Sequence, residues 1–335
     1  MKLRVELYMA KTIRWGILGT GAIANKFAVG LNHLPGTELV AVGSRSAETA
    51  RTFGERFSVP RRHSSYQGLA DDPEVDIVYV STPHPFHLEN TLLCLGAGKA
   101  VLCEKPFAMN AAEVGRAIHF ARERGLFLME AMWTRFLPHM MRVRELLAEG
   151  AVGELRMLQV NFGFRAEVEP QSRLFDPALG GGALLDVGVY SVALAHMLFG
   201  PPTEVAGFAN LGSTGVDEEA ALIFHHNEGQ LSLLATAIRL DTPHEATLIG
   251  TDGWIQIHRS WWNSANFTLH RSGCDPELFE IPCPLNGYNY QVLAINKHLR
   301  AGGLESNIMP LDDTLAITET MDRLRDRWGL KYPGE

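Results

Sequence analysis

Two glycines and a run of short loops carry the recognisable chemistry of this chain. In Ile13-Arg14-Trp15-Gly16-Ile17-Leu18-Gly19-Thr20-Gly21-Ala22-Ile23-Ala24, an apolar strand runs into a turn whose small residues stand at Gly19, Gly21 and Ala24. That is the spacing of a dinucleotide-binding turn. Gly19 permits the tight turn, Gly21 lets the backbone approach a pyrophosphate, and Ala24 keeps the following helix close to its strand. The helix that opens near Ala22 presents unpaired N–H groups, with those of Thr20, Gly21, Ala22 and Ile23 nearest the phosphates. An ordinary strand-to-helix turn is the plain alternative.

Two further loops belong to the same chemistry. An NAD-selective site places Asp or Glu at the end of the second strand to hold the ribose 2′-hydroxyl, but here the residues are Gly43-Ser44-Arg45-Ser46. With no carboxylate to repel a 2′-phosphate, Arg45 can pair with it or stack on adenine while Ser44 and Ser46 donate hydrogen bonds. The expected cofactor is NADP, with NAD the alternative if Arg45 is only a solvated loop residue. In Ser81-Thr82-Pro83-His84-Pro85-Phe86-His87, two prolines stiffen a strand-end loop against a flat ring. Thr82, Pro83, His84 and His87 are therefore candidates for cofactor contact, against the ordinary reading of loop histidines as hydrogen-bonded or solvated.

The elements that position these loops follow from periodicity. Strands are expected over 39–43, 76–81, 100–103 and 126–130, alternating with helices over 47–57, 87–98 and 111–124, the last closed by Gly125. This is a doubly wound parallel sheet, an α/β Rossmann domain over residues 9–131. From 132 to 335 the pattern becomes longer strands over 153–165, 204–211, 220–226, 231–240, 246–250 and 254–258, interrupted by a helix over 181–199 and closed by helices over 288–300 and 311–328. That reads as an α+β domain with a large, mostly antiparallel sheet, carrying substrate and oligomer contacts.

Composition narrows the function. The chain has 335 residues, 46% of them hydrophobic, and a net charge of −8 without basic clusters, so no nucleic-acid partner is expected. No apolar run suggests a membrane span, and Met1–Ala10 lacks a secretory signal, which makes the cytoplasm the expected compartment and Met9 a possible true start. Cys94, Cys103, Cys274 and Cys283 lack metal-ligand spacing and read as reduced, mostly buried thiols, with no metal site.

Taken with the glycine turn, Glu104-Lys105-Pro106 and the run Gly181-Gly182-Ala183-Leu184-Leu185-Asp186-Val187-Gly188-Val189-Tyr190 resemble the glucose–fructose oxidoreductase, inositol dehydrogenase and rhizopine-catabolism (Gfo/Idh/MocA) family. The resemblance covers nearly the whole chain. Ala100–Pro106 and Gly125–Phe136 are most similar to its dimeric dihydrodiol dehydrogenase subgroup, which also oxidises D-xylose with NADP. The resemblance implies that Lys105 lies between nicotinamide and substrate, where an ammonium stabilises charge developing on oxygen. Many members carry Asp-x-x-x-His where this chain has Asp186-x-x-x-Tyr190, so the Tyr190 phenol takes the place of the general acid–base. A phenol's ordinary pKa of about 10 falls toward about 7–9 beside a cation within ~4–6 Å, the part expected of Lys105. Asp186 is expected to orient Lys105 or a substrate hydroxyl, and Glu104 to position its loop beside the cofactor.

Trp133, Phe136, Phe162 and Phe164, with Arg135 and Arg165 among them, can shape the substrate side, although core packing explains many such aromatics. Trp133, Arg135, Phe162 and Tyr190 are the substrate candidates. The expected reaction is hydride transfer between the nicotinamide and a secondary or hemiacetal hydroxyl of a sugar, polyol or cyclic trans-dihydrodiol. Two alternatives within the family are a cofactor-retaining glycoside hydrolase and a non-catalytic NAD(P)- or sugar-sensing regulator. A homo-oligomer, with a dimer favoured, is expected from a long sheet with one exposed apolar face.

Overall fold

The computed structural model describes residues 11–32, 34–263 and 266–335; the expectations for Met1–Ala10 lie outside them. The chain divides into two compact units, one made of the residues through Trp133 with Pro284–Thr314, the other of Thr134–Cys283 with Leu315–Glu335. The first crossing falls beside the expected boundary at residue 131, but the helix Tyr288–Arg300 returns to the first unit. It does so because its apolar face is buried there: Val292 and Ile295 are fully covered, and Asn296 Oδ1 accepts a hydrogen bond from the Trp15 indole at 3.1 Å.

The first unit holds a six-stranded sheet in the order β3-β2-β1-β4-β5-β6, with every pairing parallel. Its strands are β1 Ile13–Leu18, β2 Thr37–Gly43, β3 Arg61–His63, β4 Ile77–Val80, β5 Ala100–Cys103 and β6 Leu128–Glu130. β4 and β5 are wholly buried, as strands covered on both faces by helices must be. The helices start and stop where the sequence supplies caps. The Ser46 side chain accepts from Thr49 N, that of Asn110 from Glu113 N, and Gly125 ends its helix at φ 60°. β3 and the helix Tyr66–Ala70 were not expected, being too short to show a period. The strand order reverses between β1 and β4, so the loops after Leu18 and Val80 open where such sheets bind ligands.

The second unit holds an eight-stranded sheet in the order β14-β13-β12-β11-β7-β10-β9-β8, antiparallel except for β7 with β10. Six strands fall near their expected positions: β7 Leu155–Gly163, β8 Glu204–Leu211, β9 Asp217–His225, β10 Leu231–Ala237, β11 Ala246–Gly250 and β12 Gly253–Ile257. β13 Asn266–Arg271, β14 Glu277–Glu280 and the helix Pro138–Ala148 are additions. β14 is a largely exposed edge strand and so lacks the apolar alternation that would announce it.

The stretch Pro177–Phe199 corrects an expectation, because it is long and apolar enough by composition to span a membrane. Its 83% burial within the fold accounts for that composition as core. It is also no uniform helix: a π-helical turn, Leu184–Gly188, precedes the α-helix Val189–Phe199. The thiols differ too, with Cys94 and Cys103 buried but Cys274 exposed and Cys283 half-buried.

Candidate functional site

In the first unit the glycine turn has the shape a pyrophosphate requires. Gly19 adopts φ +104°, a conformation L side chains rarely take, and a Cβ there would press on Ser81 Oγ at 3.0 Å. Gly21 is the reverse case. A Cβ there would meet nothing within 4 Å, so the missing side chain leaves open space above the start of the helix Ala22–Leu31. That helix has no side-chain cap and no acidic residue in its first turn, leaving its leading N–H groups and dipole to an anion. Ala24 is fully buried, as its packing role demands. Asn25, which sequence reasoning missed, holds the turn: its Nδ2 donates to Thr20 O at 3.2 Å and Gly21 O at 2.9 Å. Its only signal is an amide side chain four residues after the second glycine.

Exposure separates the other cofactor candidates into those that can touch a ligand and those that build its seat. Thr20, Gly21, Ala22, Ile23, Arg45, Pro83, His84 and Lys105 are exposed or half-buried, while Gly19, Ser44, Thr82, His87 and Glu104 are buried. Ser44 Oγ bonds Thr49 Oγ1 at 2.6 Å, and Ser46 caps the next helix, so both hydroxyls already serve the loop that presents Arg45. Thr82 Oγ1 accepts from Asn90 Nδ2 at 3.2 Å.

His87 departs from expectation most. It is fully buried, with Nδ1 2.8 Å from Pro106 O and Nε2 2.7 Å from Thr82 O. Both ring nitrogens face backbone carbonyls, and with burial pushing its pKa down the neutral ring donates to one of the two, so His87 sits between the Thr82 loop and the Glu104-Lys105-Pro106 loop and turns neither nitrogen to a cofactor. Glu104 likewise faces inward. Its carboxylate accepts from the Tyr79 hydroxyl and, at 3.2 Å, from Lys105 N, and burial raises its pKa against the opposing pull of Tyr79 and Lys105. Tyr79 in turn stacks on Phe27 at 3.8 Å. Lys105 thus rides on a loop anchored by a buried carboxylate on one side and a buried imidazole on the other. Trp133 is buried against Tyr288, ring centroids 4.7 Å apart.

In the second unit Asp186 lies on the π turn and Tyr190 in the first turn of the helix Val189–Phe199, both under a tenth exposed. Such turns are uncommon and recur at functional positions. The Asp186 carboxylate accepts from Arg173 Nη1 at 2.8 Å. Arg173 was not foreseen, since it stands in a loop with no motif to mark it. The Tyr190 ring lies 5.6 Å from that of Phe162, which stacks on Trp262 at 3.5 Å and 6° and meets His244 and Trp261 edge-on. His244 sits at φ +63°, its backbone N donating to Asn161 Oδ1 at 2.7 Å, and the Trp261 indole donates to Asn161 O at 3.0 Å. Phe162 was expected near the substrate; His244 and the two tryptophans that join it come from two separate loops, about 80 and 100 residues away, which no local pattern reveals. Arg135 is a correction. Its side chain is buried and donates to Ala193 O at 3.1 Å, which makes it a brace for the long helix rather than a substrate ligand.

Comparison with known proteins places both halves of the chain in one family. Residues 13–132 match the model of an oxidoreductase family with an NAD-binding Rossmann fold, and residues 140–256 match the Gfo/Idh/MocA C-terminal domain. A trans-1,2-dihydrobenzene-1,2-diol dehydrogenase of Mus musculus is 37% identical over 335 aligned residues, covering 96% of this chain and 98% of the relative. A 3-ketoreductase from Actinomadura kijaniata, solved with NADP and TDP-benzene, is 28% identical with a TM-score of 0.83, covering 94% of this chain and 98% of that one. An aldose–aldose oxidoreductase from Caulobacter crescentus, complexed with glycerol, is 26% identical with a TM-score of 0.86, covering 94% and 97%. Both halves match in order, and the likeness runs almost from end to end; the chain therefore belongs to the Gfo/Idh/MocA family of oxidoreductases built on an NAD-binding Rossmann fold.

Proposed function

We propose that this protein is an NADP-dependent dehydrogenase acting on a secondary or hemiacetal hydroxyl of a cyclic diol or sugar, with Tyr190 as general acid–base and Lys105 as the cation that stabilises charge on the reacting oxygen. The observation that carries the substrate class is the aromatic group beside Tyr190, in which the half-buried Trp262, backed by the buried Phe162 ring, offers apolar surface near a phenol. Such faces suit the C–H face of a ring while polar groups take its hydroxyls. The dihydrodiol dehydrogenases and the aldose oxidoreductase among the relatives act on molecules of this kind by name, which supports the reading.

Bound nicotinamide supplies the hydride acceptor or donor. The remaining work belongs to the chain. The uncapped helix start and open Gly21 hold phosphate, and Arg45 gives a 2′-phosphate its cation. Tyr190 takes the hydroxyl proton in oxidation and returns it in reduction, and the Lys105 ammonium stabilises the oxygen as its charge grows. Asp186, neutralised by Arg173, orients a substrate hydroxyl without adding a bare negative charge near the phenol.

The test is Tyr190→Phe. It should keep NADPH affinity and lose kcat by about 10²–10⁴-fold; wild-type turnover would remove Tyr190 from the chemistry.

The same reading extends to assembly as a homodimer. Phe208, Ile223 and Leu233 are 88%, 51% and 38% exposed, and pairing register places Ile223 and Leu233 side by side. They lie on the sheet face opposite the one whose Thr236 bonds Ala183 of the helical segment. A second copy covering this face would bury what a monomer leaves wet. The cytoplasm is the compartment we propose, in keeping with the buried free thiols of Cys94 and Cys103.

A further inference from the structure

The segment Gly181–Leu184, which leads into the π turn, is pinned at nearly every peptide. Gly181 N donates to Asp176 O at 3.1 Å, Gly182 N to Leu174 O at 2.9 Å, and Ala183 O accepts from Thr236 Oγ1 at 3.2 Å. Two pins come from side chains in distant parts of the sequence. The Tyr332 hydroxyl donates to Gly181 O at 2.6 Å, and Asp217 Oδ2 accepts from Leu184 N at 2.6 Å. Both side chains converge on Gly182, whose φ of +117° excludes other residues; the space a side chain would need there is taken by Asp217 Oδ1 and, at 3.2 Å, by Tyr332 Oη.

Tyr332 is itself held from behind. Arg325, only 4% exposed, grips Glu335 at 2.8 and 3.0 Å, Glu335 Oε2 accepts from Tyr332 N at 3.0 Å, and the guanidinium lies 5.1 Å from the Tyr332 ring centroid. Asp217 is fully buried, and its Oδ1 has no hydrogen-bond partner among the described residues. A buried carboxylate with an unmet oxygen costs stability that an apolar residue would not. What it does secure is the position of Leu184 N, at the first residue of the turn that carries Asp186.

We propose that Tyr332 and Asp217 are positioning residues for catalysis: together they latch the Gly181–Leu184 segment and so set where Asp186 and Tyr190 stand. The proposal rests on the reading of Tyr190 as acid–base. Because the latch touches neither substrate nor cofactor, its loss shows in the chemical step. A misplacement of about 1 Å costs up to about 10²-fold in rate.

The experiment compares Tyr332→Phe, which removes one hydroxyl, with Tyr190→Phe in steady-state kinetics, NADPH titration and kcat–pH profiles. Tyr332→Phe should lower kcat about tenfold and move the apparent pKa of the kcat profile, while KM for NADP and NADPH affinity stay at wild-type values. If Tyr190→Phe is inactive while Tyr332→Phe matches wild type in kcat and profile, the latch is wrong and the catalytic reading stands. If Tyr190→Phe turns over normally, the catalytic reading falls and the latch with it. Should Tyr332→Phe not fold, Asp217→Ala, which removes the acceptor for Leu184 N, is read in the same way.

Discussion

Asp217 gives the protein an inverted response to mild acid. Its carboxyl faces Leu184 N, with Arg325 and Tyr332 near it, yet burial outweighs all of them and pushes its pKa up from 3.8 to about 7. In the unfolded chain the group ionises at its ordinary value, so the folded state binds the proton more tightly. A folded pKa above the unfolded one makes ionisation unfavourable to folding. The penalty is absent below pH about 4, grows as pH rises through the interval up to about 7, and is constant above it. At about 1.4 kcal/mol per pH unit, the linkage gives a penalty of about 4 kcal/mol at pH 8 and about 1.7 kcal/mol at pH 5. The buried histidines act oppositely. His139 and His196, lowered by burial to about 4 and about 3, must stay neutral and so lose stability as pH falls below about 6.5. They hide the Asp217 effect in the wild type, but not in a difference. Asp217→Asn keeps the shape and leaves the histidines unchanged, so its stability relative to wild type should improve by about 2–3 kcal/mol between pH 5 and pH 8. Urea unfolding of both proteins at unit pH steps, followed by tryptophan fluorescence, measures it. A difference that does not vary with pH would refute a raised Asp217 pKa.

Other consequences are as direct. Arg45→Ala should weaken NADPH binding by about 1.5–3 kcal/mol, the worth of a charged hydrogen bond, and NADH far less; equal losses in a fluorescence titration would deny Arg45 the 2′-phosphate. Trp262→Ala should raise KM for a cyclic diol about tenfold with NADP affinity unchanged, the scale of a lost stacking partner; an unchanged KM would take the aromatic group out of substrate binding. Phe208→Glu should shift the sedimenting species from dimer to monomer, and an unaltered profile would place the interface elsewhere.

Much of the first unit was legible because its rules are local. A glycine turn needs small residues at fixed offsets, a buried parallel strand is a short apolar run, and helices announce themselves by Ser46, Asn110 and Gly125. Each is decided within a few residues, so the strands over 100–103 and the helix over 111–124 fall where they were expected. Polar or very short elements such as β3 and β14 were not legible, since they are held by pairing to a neighbour strand and not by a pattern of their own. Residue type also misled where burial reverses its meaning. His87 in a proline-stiffened loop looked like a ligand contact, and Arg135 looked like a sugar donor, but both are interior braces bound to backbone carbonyls.

By itself the sequence determined that a dinucleotide turn opens the chain, that Arg45 stands where an acid would select NAD, and that Lys105 and Tyr190 occupy motif positions. These are properties of neighbouring residues and survive without the fold. Only the tertiary structure decided the partners: Arg173 on Asp186, Trp262 on Phe162, and Tyr332 with Asp217 on the Gly181–Leu184 segment. Such contacts join residues 13 to 151 positions apart, and the burial that sets their energies exists only once the chain has closed around them.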